Sequence, residues 1–260
     1  ASGPFVQASQ SGMFEKYRQR GVATHAVVYD LLPVRLPAVF PAGADAVHAE
    51  WLSEISKLDS ALCISKSVKA DLEAWQTENQ ISWPNRRQFS VAAFELGADV
   101  WPNAMTKKDA VHLESMLGQM PTGNIVLSVG TLEPRKNFAQ TLKAFDLLWS
   151  QNIQVSWVLV GREGWTGQPD LQRQDILALI ECLESHPEKG HRLFWLNGLH
   201  DDQLAQLYAH ADCLLNASLG EGLGLPLLGI AVRPALASER FTGLQRSSWQ
   251  ERHIFQCQFN

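Results

Sequence analysis

The sequence predicts an α/β fold, a mostly parallel sheet wrapped by helices, and three observations carry that expectation. Short apolar runs alternate with segments of helical period along most of the chain. Several runs end in glycine, as in NIVLSVG (124–130), VSWVLVG (155–161) and RLFWLNG (192–198). No internal repeat, low-complexity tract or block of like charge interrupts this rhythm.

The elements follow in chain order. SGMFEKYRQRG (11–21) has the look of a helix. ATHAVVYDLL (23–32) reads as a buried strand, broken by Pro33 and Pro37. SALCIS (60–65) is a second strand, with Ser65 or Ser67 placed to cap the helix KSVKADLEAW. FSVAAFEL (89–96) is a third. The polar stretch 101–124 holds a short helix around residues 106–117, and Pro121 with Gly123 mark a domain boundary near residue 122.

Beyond that boundary the rhythm sharpens. NIVLSVG is a strand, and Asn137 caps a helix whose Phe138, Leu142, Phe145 and Trp149 share one face. VSWVLVG is the next strand. Ile176, Leu179, Ile180 and Leu183 stripe a second helix, RLFWLNG follows as a strand, and a helix beginning at Asp201 carries Leu204, Leu207 and Tyr208. CLLNAS (213–218) is the fourth strand of a doubly wound unit. Glycine at strand ends lets backbone approach a ligand at the carboxyl edge of such a sheet. Most of the tryptophans, Trp149, Trp157 and Trp195 among them, sit in these periodic segments and read as core.

Composition narrows the function classes. With 260 residues and 45% hydrophobic content the chain can bury a sizeable core. A net charge of −5 supplies no basic field for nucleic acid or acidic lipid. No apolar run approaches the roughly twenty residues of a membrane span, and ASGPFVQASQSG does not read as a signal peptide. Cys63, Cys182, Cys213 and Cys257 are scattered without a CxxC pair, which suits buried thiols in a reducing cytoplasm. The histidines, His25, His48, His112, His186, His191, His200, His210 and His253, show no metal-ligand spacing, so no metal is expected.

Three constellations could carry chemistry. In GTLEPRKN (130–137) a glycine turn leaves a strand and two adjacent cations precede a helix, a pattern suited to an anion. Alone, such a pair reads as solvated charge; its place after a glycine-ended strand favours the anion site. EGLGLP (221–226) is a tight loop that offers backbone N–H groups and one carboxylate to sugar hydroxyls, although an acid near a helix start has a dipole rationale too. In YDLLP (29–33) Asp30 ends a strand where α/β folds place catalytic groups, yet by itself it reads better as a turn cap. GREGW (161–165) lines the same crevice, or Trp165 covers the domain's edge.

GTLEPRKN, LVGREGW, RLFWLNGLHDDQLAQLYAHADCLLNAS and EGLGLP, in this order and spacing, resemble family-4 retaining glycosyltransferases. The nearest look is the bacterial mannosyltransferase-like branch that builds capsule and O-antigen polysaccharide. YDLLPVRLPAVFP and AAFELGADV resemble the end of that family's first, acceptor-binding domain, so the match runs from about residue 20 to residue 228. The resemblance implies a GT-B fold of two Rossmann-like domains: residues 1–122 as the remnant of the acceptor-binding domain and 123–228 as the donor-binding domain. It implies transfer of a hexose such as mannose from a nucleoside diphosphate sugar to a glycan or lipid-linked saccharide, with retention of configuration. Arg135 and Lys136 would grip the diphosphate with backbone help at Gly130 and Thr131, and Glu221 would face the transferred sugar. Gly161, Gly198, Leu199, Gly222, Gly224 and Leu225 would complete the donor site, and Asp30 would lie on the acceptor side. Where many relatives carry a histidine before that Asp, this chain has Tyr29. No cofactor, metal or nucleic acid is implied, and the enzyme would work in the cytoplasm or peripherally at the membrane's inner face. Two alternatives stand beside it: an inactive nucleotide-sugar-binding fragment, and a GT-B-type sugar-nucleotide epimerase.

The pattern breaks at both ends. By the resemblance, the chain is expected to begin within the acceptor domain, without the opening strands and glycine-rich loop of relatives. The family pairs its first Glu with a second, expected at the ribose; that place is Gly229. Residues 229–260 show no helical or strand period, and permitted codons read one base later can spell ALRYGLPLLASDLPVFREVAGKNGTYFN, close to family sequence. The tail therefore reads as out-of-frame product or as a gene-model error of that form. Loss of the ribose carboxylate removes a charge-assisted hydrogen bond worth about 1.5–3 kcal/mol. The donor domain would also keep one edge uncovered, and the chain is expected to be weakly active or inactive and aggregation-prone.

Overall fold

The structure, a computed structural model, describes residues 3–81, 89–94, 121, 123–226 and the backbone of 254–256. The chain forms two compact units, Ala1–Gly97 with Gly220–Leu223, and Ala98–Leu219 with Gly224–Asn260. This division differs from a boundary near residue 122 and takes part of EGLGLP into the first unit. The expected helix at 106–117 lies outside the described residues.

In the first unit, helices α1 (Gly3–Gln10) and α2 (Met13–Gln19) precede β1 (His25–Val28), α3 (Leu32–Arg35), α4 (Ala44–Ile55), β2 (Ser60–Cys63), α5 (Lys66–Glu78) and β3 (Ser90–Ala93). The three strands form a parallel sheet, order β1-β2-β3. His25 lies opposite Ser60, and Ser60 opposite Ser90. Val28, Leu52, Ile55, Ala61, Cys63, Val68 and Leu72 are its buried core. Ser65 caps α5, as its position predicts: its Oγ accepts from Val68 N at 3.1 Å. The first strand is shorter than expected. Asp30 Oδ1 accepts from Leu32 N at 3.0 Å, which turns the chain, and Pro33 then occupies the first turn of α3.

The second unit alternates β4 (Asn124–Val129), α6 (Phe138–Ser150), β5 (Val155–Val160), α7 (Gln174–Ser185), β6 (Leu193–Leu196), α8 (Asp201–His210) and β7 (Cys213–Asn216), with β8 (Ile254–Gln256) at the edge. Its sheet is parallel, order β6-β5-β4-β7-β8. Every residue of β5 is buried, as a strand covered on both faces requires. Trp157, fully buried on β5, stacks on Phe145 of α6 at 5.3 Å between ring centroids and donates its indole N–H to Ser128 Oγ at 3.1 Å. Trp149 is buried as well, whereas Trp195 is only partly so.

Several expectations need correction. Asn137 stands at the N-cap of α6 but makes no side-chain cap bond; its φ of 60° and ψ of 28° put it in the left-handed region that Asn tolerates. It ends the 3₁₀ turn Pro134–Lys136 and redirects the chain into α6. The tail, read as lacking any strand, contributes β8, which pairs with β7 through Leu214↔Ile254 to Asn216↔Gln256. Parallel pairing uses backbone groups and needs no side-chain period. That edge of β7 is therefore covered. Of the thiols, Cys63 is buried and Cys213 partly so, and burial pushes each up to about 11. Cys182, on the outer face of α7, is exposed, contrary to the expectation for all four; Cys257 lies outside the described residues.

Candidate functional site

Three loops converge at the carboxyl edge of the second unit's sheet. The first leaves β4 at Gly130, whose N–H donates to Val160 O at 2.9 Å. The second leaves β5 at Gly161. A Cβ there would overlap the Gly130 carbonyl oxygen and lie 2.8 Å from its carbon, so only glycine permits these two strand ends to touch. Leu132 N donates to Arg162 O at 2.8 Å and Gly164 N returns to Leu132 O at 3.2 Å, joining the two loops. The third follows β7: Leu219 N donates to Arg135 O at 2.8 Å, and Ser218 is held to Asn216 Oδ1 at 2.7 Å.

This framework sets the two cations. Lys136 is 6% exposed. Its side chain folds back over Gly130, so that a Cβ at 130 would meet Lys136 Cε at 3.1 Å and Nζ at 3.4 Å. The ammonium is thus held at the end of the central strand β4. Arg135, partly exposed, donates from Nε to Glu133 Oε2 at 2.8 Å, which orients its guanidinium. Thr131 is half-buried beside them. Nearby, Arg173 pairs with Glu163 at 2.5 Å and Asp170 at 3.1 Å. Trp165 is half-buried against the core that Trp157 anchors, so it covers that edge of the unit. Gly198, with φ of 78°, and Leu199 form the turn after β6; Leu199 packs on the core around Leu207. Gly224 has φ of 76°, Leu225 is exposed, and Pro226 O accepts from the Tyr208 hydroxyl at 3.1 Å. Burial pushes that phenol well above its ordinary value.

The first unit holds the carboxylates. Asp30 follows β1 and caps its own turn, the reading its position alone favours. Gly220–Leu223 pack on that turn: a Cβ at Gly222 would overlap the Tyr29 carbonyl oxygen and sit 3.3 Å from Asp30 Cβ. Asp30 and the loop bearing Glu221 are therefore brought together from positions far apart in sequence. Tyr29, where a histidine was expected from the resemblance, is 62% exposed. Arg135 and Lys136 belong to one unit, Asp30 and Glu221 to the other.

Two contacts here could not be read from the sequence. Ser65 donates to Gly222 O at 2.7 Å. His48, on α4, hydrogen-bonds through Nε2 to Asp30 O at 3.2 Å and lies against Trp51. Its place one helical turn before the buried Leu52 is the only sequence signal that it faces inward. Burial lowers its pKa from 6.5, outweighing the Asp30 carbonyl and carboxylate, which raise it. The unfolded chain therefore binds this proton more readily. Stability is full above the unfolded value of 6.5 and falls as pH drops from there through the folded value. Between about pH 7.5 and about pH 5.5 the wild-type thermal midpoint should fall further than that of His48→Gln, which keeps an N–H donor. Equal acid sensitivity in both proteins would rule this out.

Among the described residues no three His, Cys, Asp or Glu side chains gather as a metal site, and no helix is long and apolar enough to cross a membrane.

Residues 116–231 match the family described as glycosyl transferases group 1. The serotype-specific mannosyltransferase WbdA of Escherichia coli is 36% identical over 220 residues, 84% of this chain and 26% of that protein. The O-antigen chain mannosyltransferase B of Escherichia coli is 32% identical over 114 residues, 42% of this chain and 26% of that protein. The chain thus spans about a quarter of the length of the curated relatives it matches. Among solved structures, the UDP-forming α,α-trehalose-phosphate synthase of Burkholderia xenovorans in complex with glucose-6-phosphate aligns with a TM-score of 0.60 at 16% identity, over 87% of this chain and 52% of that one. A trehalose-6-phosphate structure from E. coli bound with UDP-2-fluoro glucose aligns with a TM-score of 0.54 at 16% identity, over 82% and 51%. The α/β fold with parallel sheets is therefore that of GT-B glycosyltransferase structures. Residues 116–231 are thus similar to glycosyl transferases of group 1, and the chain is similar in sequence to bacterial mannosyltransferases.

Proposed function

We propose that this chain belongs to the family-4 retaining glycosyltransferases and moves a hexose, mannose by its relatives, from a nucleoside diphosphate sugar to a glycan or lipid-linked acceptor. The setting is polysaccharide biosynthesis in the cytoplasm or at the inner face of the membrane. The observation that carries the reading is the buried Lys136 ammonium folded over Gly130 at the end of the central strand, beside Arg135. A parallel sheet binds nucleotides at that edge, and two fixed cations suit a diphosphate.

In the proposed reaction the acceptor oxygen bonds to the anomeric carbon as the bond from that carbon to the diphosphate oxygen breaks. The acceptor proton leaves on the departing phosphate, and charge develops on that phosphate in the transition state. Arg135 and Lys136 stabilise that charge without reorganising, the condition under which fixed charges are most effective. Backbone at Gly130, Thr131, Gly161, Gly198, Leu199, Gly224 and Leu225 shapes the donor site. Glu221 and Gly222 orient the sugar, and Asp30 serves the acceptor hydroxyl. The two cations supply the charge, and the proposal uses no metal.

The test is a thermal-shift screen of nucleoside diphosphate sugars on the 260-residue chain, followed by product analysis with an oligosaccharide acceptor. A donor that raises the midpoint of the wild type, raises it less in Arg135→Ala, and yields an extended glycan of retained configuration is the expected result. Epimerised donor without acceptor, or binding without turnover, would replace the transferase reading with one of its alternatives. The out-of-frame reading of residues 229–260 is a separate proposal. It requires that a single small insertion or deletion near codon 229 restore family-like sequence.

A further inference from the structure

We infer that Ser65 is a positioning residue for Glu221, because one hydroxyl both caps α5 and holds the loop that carries this carboxylate. The inference rests on the role proposed for Glu221, but the placement itself can be tested without sugar transfer.

Glu221 stands between two glycines, a sequence with little stiffness of its own. What confines the loop is its fit on the first unit. A Cβ at Gly220 would come within 2.7 Å of Leu32 Cδ2 and of Leu36 Cδ1, and one at Gly222 would overlap the Tyr29 carbonyl oxygen. Leu223 packs on the core around Leu52 and Val68. Such contacts bring the loop close but are not themselves directional. The bond from Ser65 Oγ to Gly222 O, at 2.7 Å, supplies direction next to Glu221.

The chemistry explains why the residue is a serine. Ser65 has extended backbone, φ −155° and ψ 164°, and its Oγ accepts from Val68 N at 3.1 Å while its hydroxyl proton goes to Gly222 O. A hydroxyl donates and accepts at one atom, whereas a carboxylate only accepts. Aspartate is as good an N-cap but presents no proton to Gly222. Threonine retains both functions. The N-cap role was visible in the sequence; the second bond joins residues 157 positions apart and was not.

The substitutions Ser65→Asp, Ser65→Thr and Ser65→Ala separate the two roles. Backbone hydrogen exchange on the full chain reports residues 219–226 and the first turn of α5 independently. In Ser65→Asp the loop should exchange roughly three- to tenfold faster while the first turn of α5 keeps its protection, the loss expected for one net hydrogen bond. Ser65→Thr should match the wild type in both places, and Ser65→Ala should loosen both. Unchanged loop exchange in Ser65→Asp overturns the inference. For turnover, Ser65→Asp should lower kcat with donor KM little changed, and Ser65→Thr should restore it. Normal kcat despite a loosened loop overturns the positioning of Glu221. If the wild type shows no transfer, the proposed activity is what fails, and loop exchange still decides what Ser65 holds.

Discussion

Lys136→Ala should abolish stabilisation by a nucleoside diphosphate sugar and lower transfer about 10²–10³-fold, the usual cost of deleting one preorganised group that meets developing charge. The size of the effect follows from burial. With the residue only 6% exposed, Lys136 meets little screening water, and its stem lies against Gly130, so it needs little reordering when the donor arrives. Lys136→Arg should not rescue. A planar guanidinium is larger and needs room that the space above Gly130 does not give. Arg135→Ala should have a smaller effect, since that side chain is more open to solvent and is shared with Glu133. The comparison is read by donor titration and initial rates. Unaltered stabilisation of Lys136→Ala by a donor that stabilises the wild type would remove the diphosphate from this place.

Gly161→Ala should destabilise the second unit by about 3 kcal/mol or more, because the added methyl meets main chain that cannot yield. It would overlap the Gly130 carbonyl oxygen and lie 3.4 Å from Leu132 Cδ1. Relief requires parting the ends of β4 and β5, which breaks the Gly130 N to Val160 O bond and displaces the strand end beneath Lys136. Gly130→Ala is the instructive contrast. Its methyl would meet only the Lys136 side chain, at 3.1–3.4 Å, which is flexible and can swing away. Stability should change little there, whereas donor binding should suffer. Tryptophan fluorescence during thermal unfolding separates the two cases, because Trp157 is buried in the core of that unit. Equal midpoints for Gly161→Ala and wild type would show that the strand ends are not packed as described.

Much of the fold was legible because burial imposes a period. Val155–Val160 is apolar but for Ser156 and lies buried on both faces of its sheet. Phe138, Leu142, Phe145 and Trp149 predicted the inner face of α6, and all are buried. Local chemistry was legible where one residue governs one turn, as at Ser65 and Asp30. Asn137 shows where such reasoning fails: its type suits a cap, yet the 3₁₀ turn before it forces a left-handed backbone that a cap does not use. The helix Ala44–Ile55 was not anticipated either. Only Leu52, Glu54 and Ile55 in it are buried, so its apolar stripe is confined to the C-terminal end.

The cations beside a glycine-ended strand and the carboxylate among glycines could be read from the chain, because strand ends and tight loops demand those residues locally. What the sequence by itself determined is therefore the α/β alternation, the strand-end glycines and the identity of the groups that could meet an anion. The tertiary structure alone decided that Lys136 is buried over Gly130, that His48 bonds the carbonyl of Asp30 and Ser65 that of Gly222, and that Gly220–Leu223 pack with the first unit. The reason is physical. Periodicity and turn chemistry act over a few residues, whereas the bonds made by His48 and Ser65 join groups 18 and 157 positions apart that only packing brings within reach.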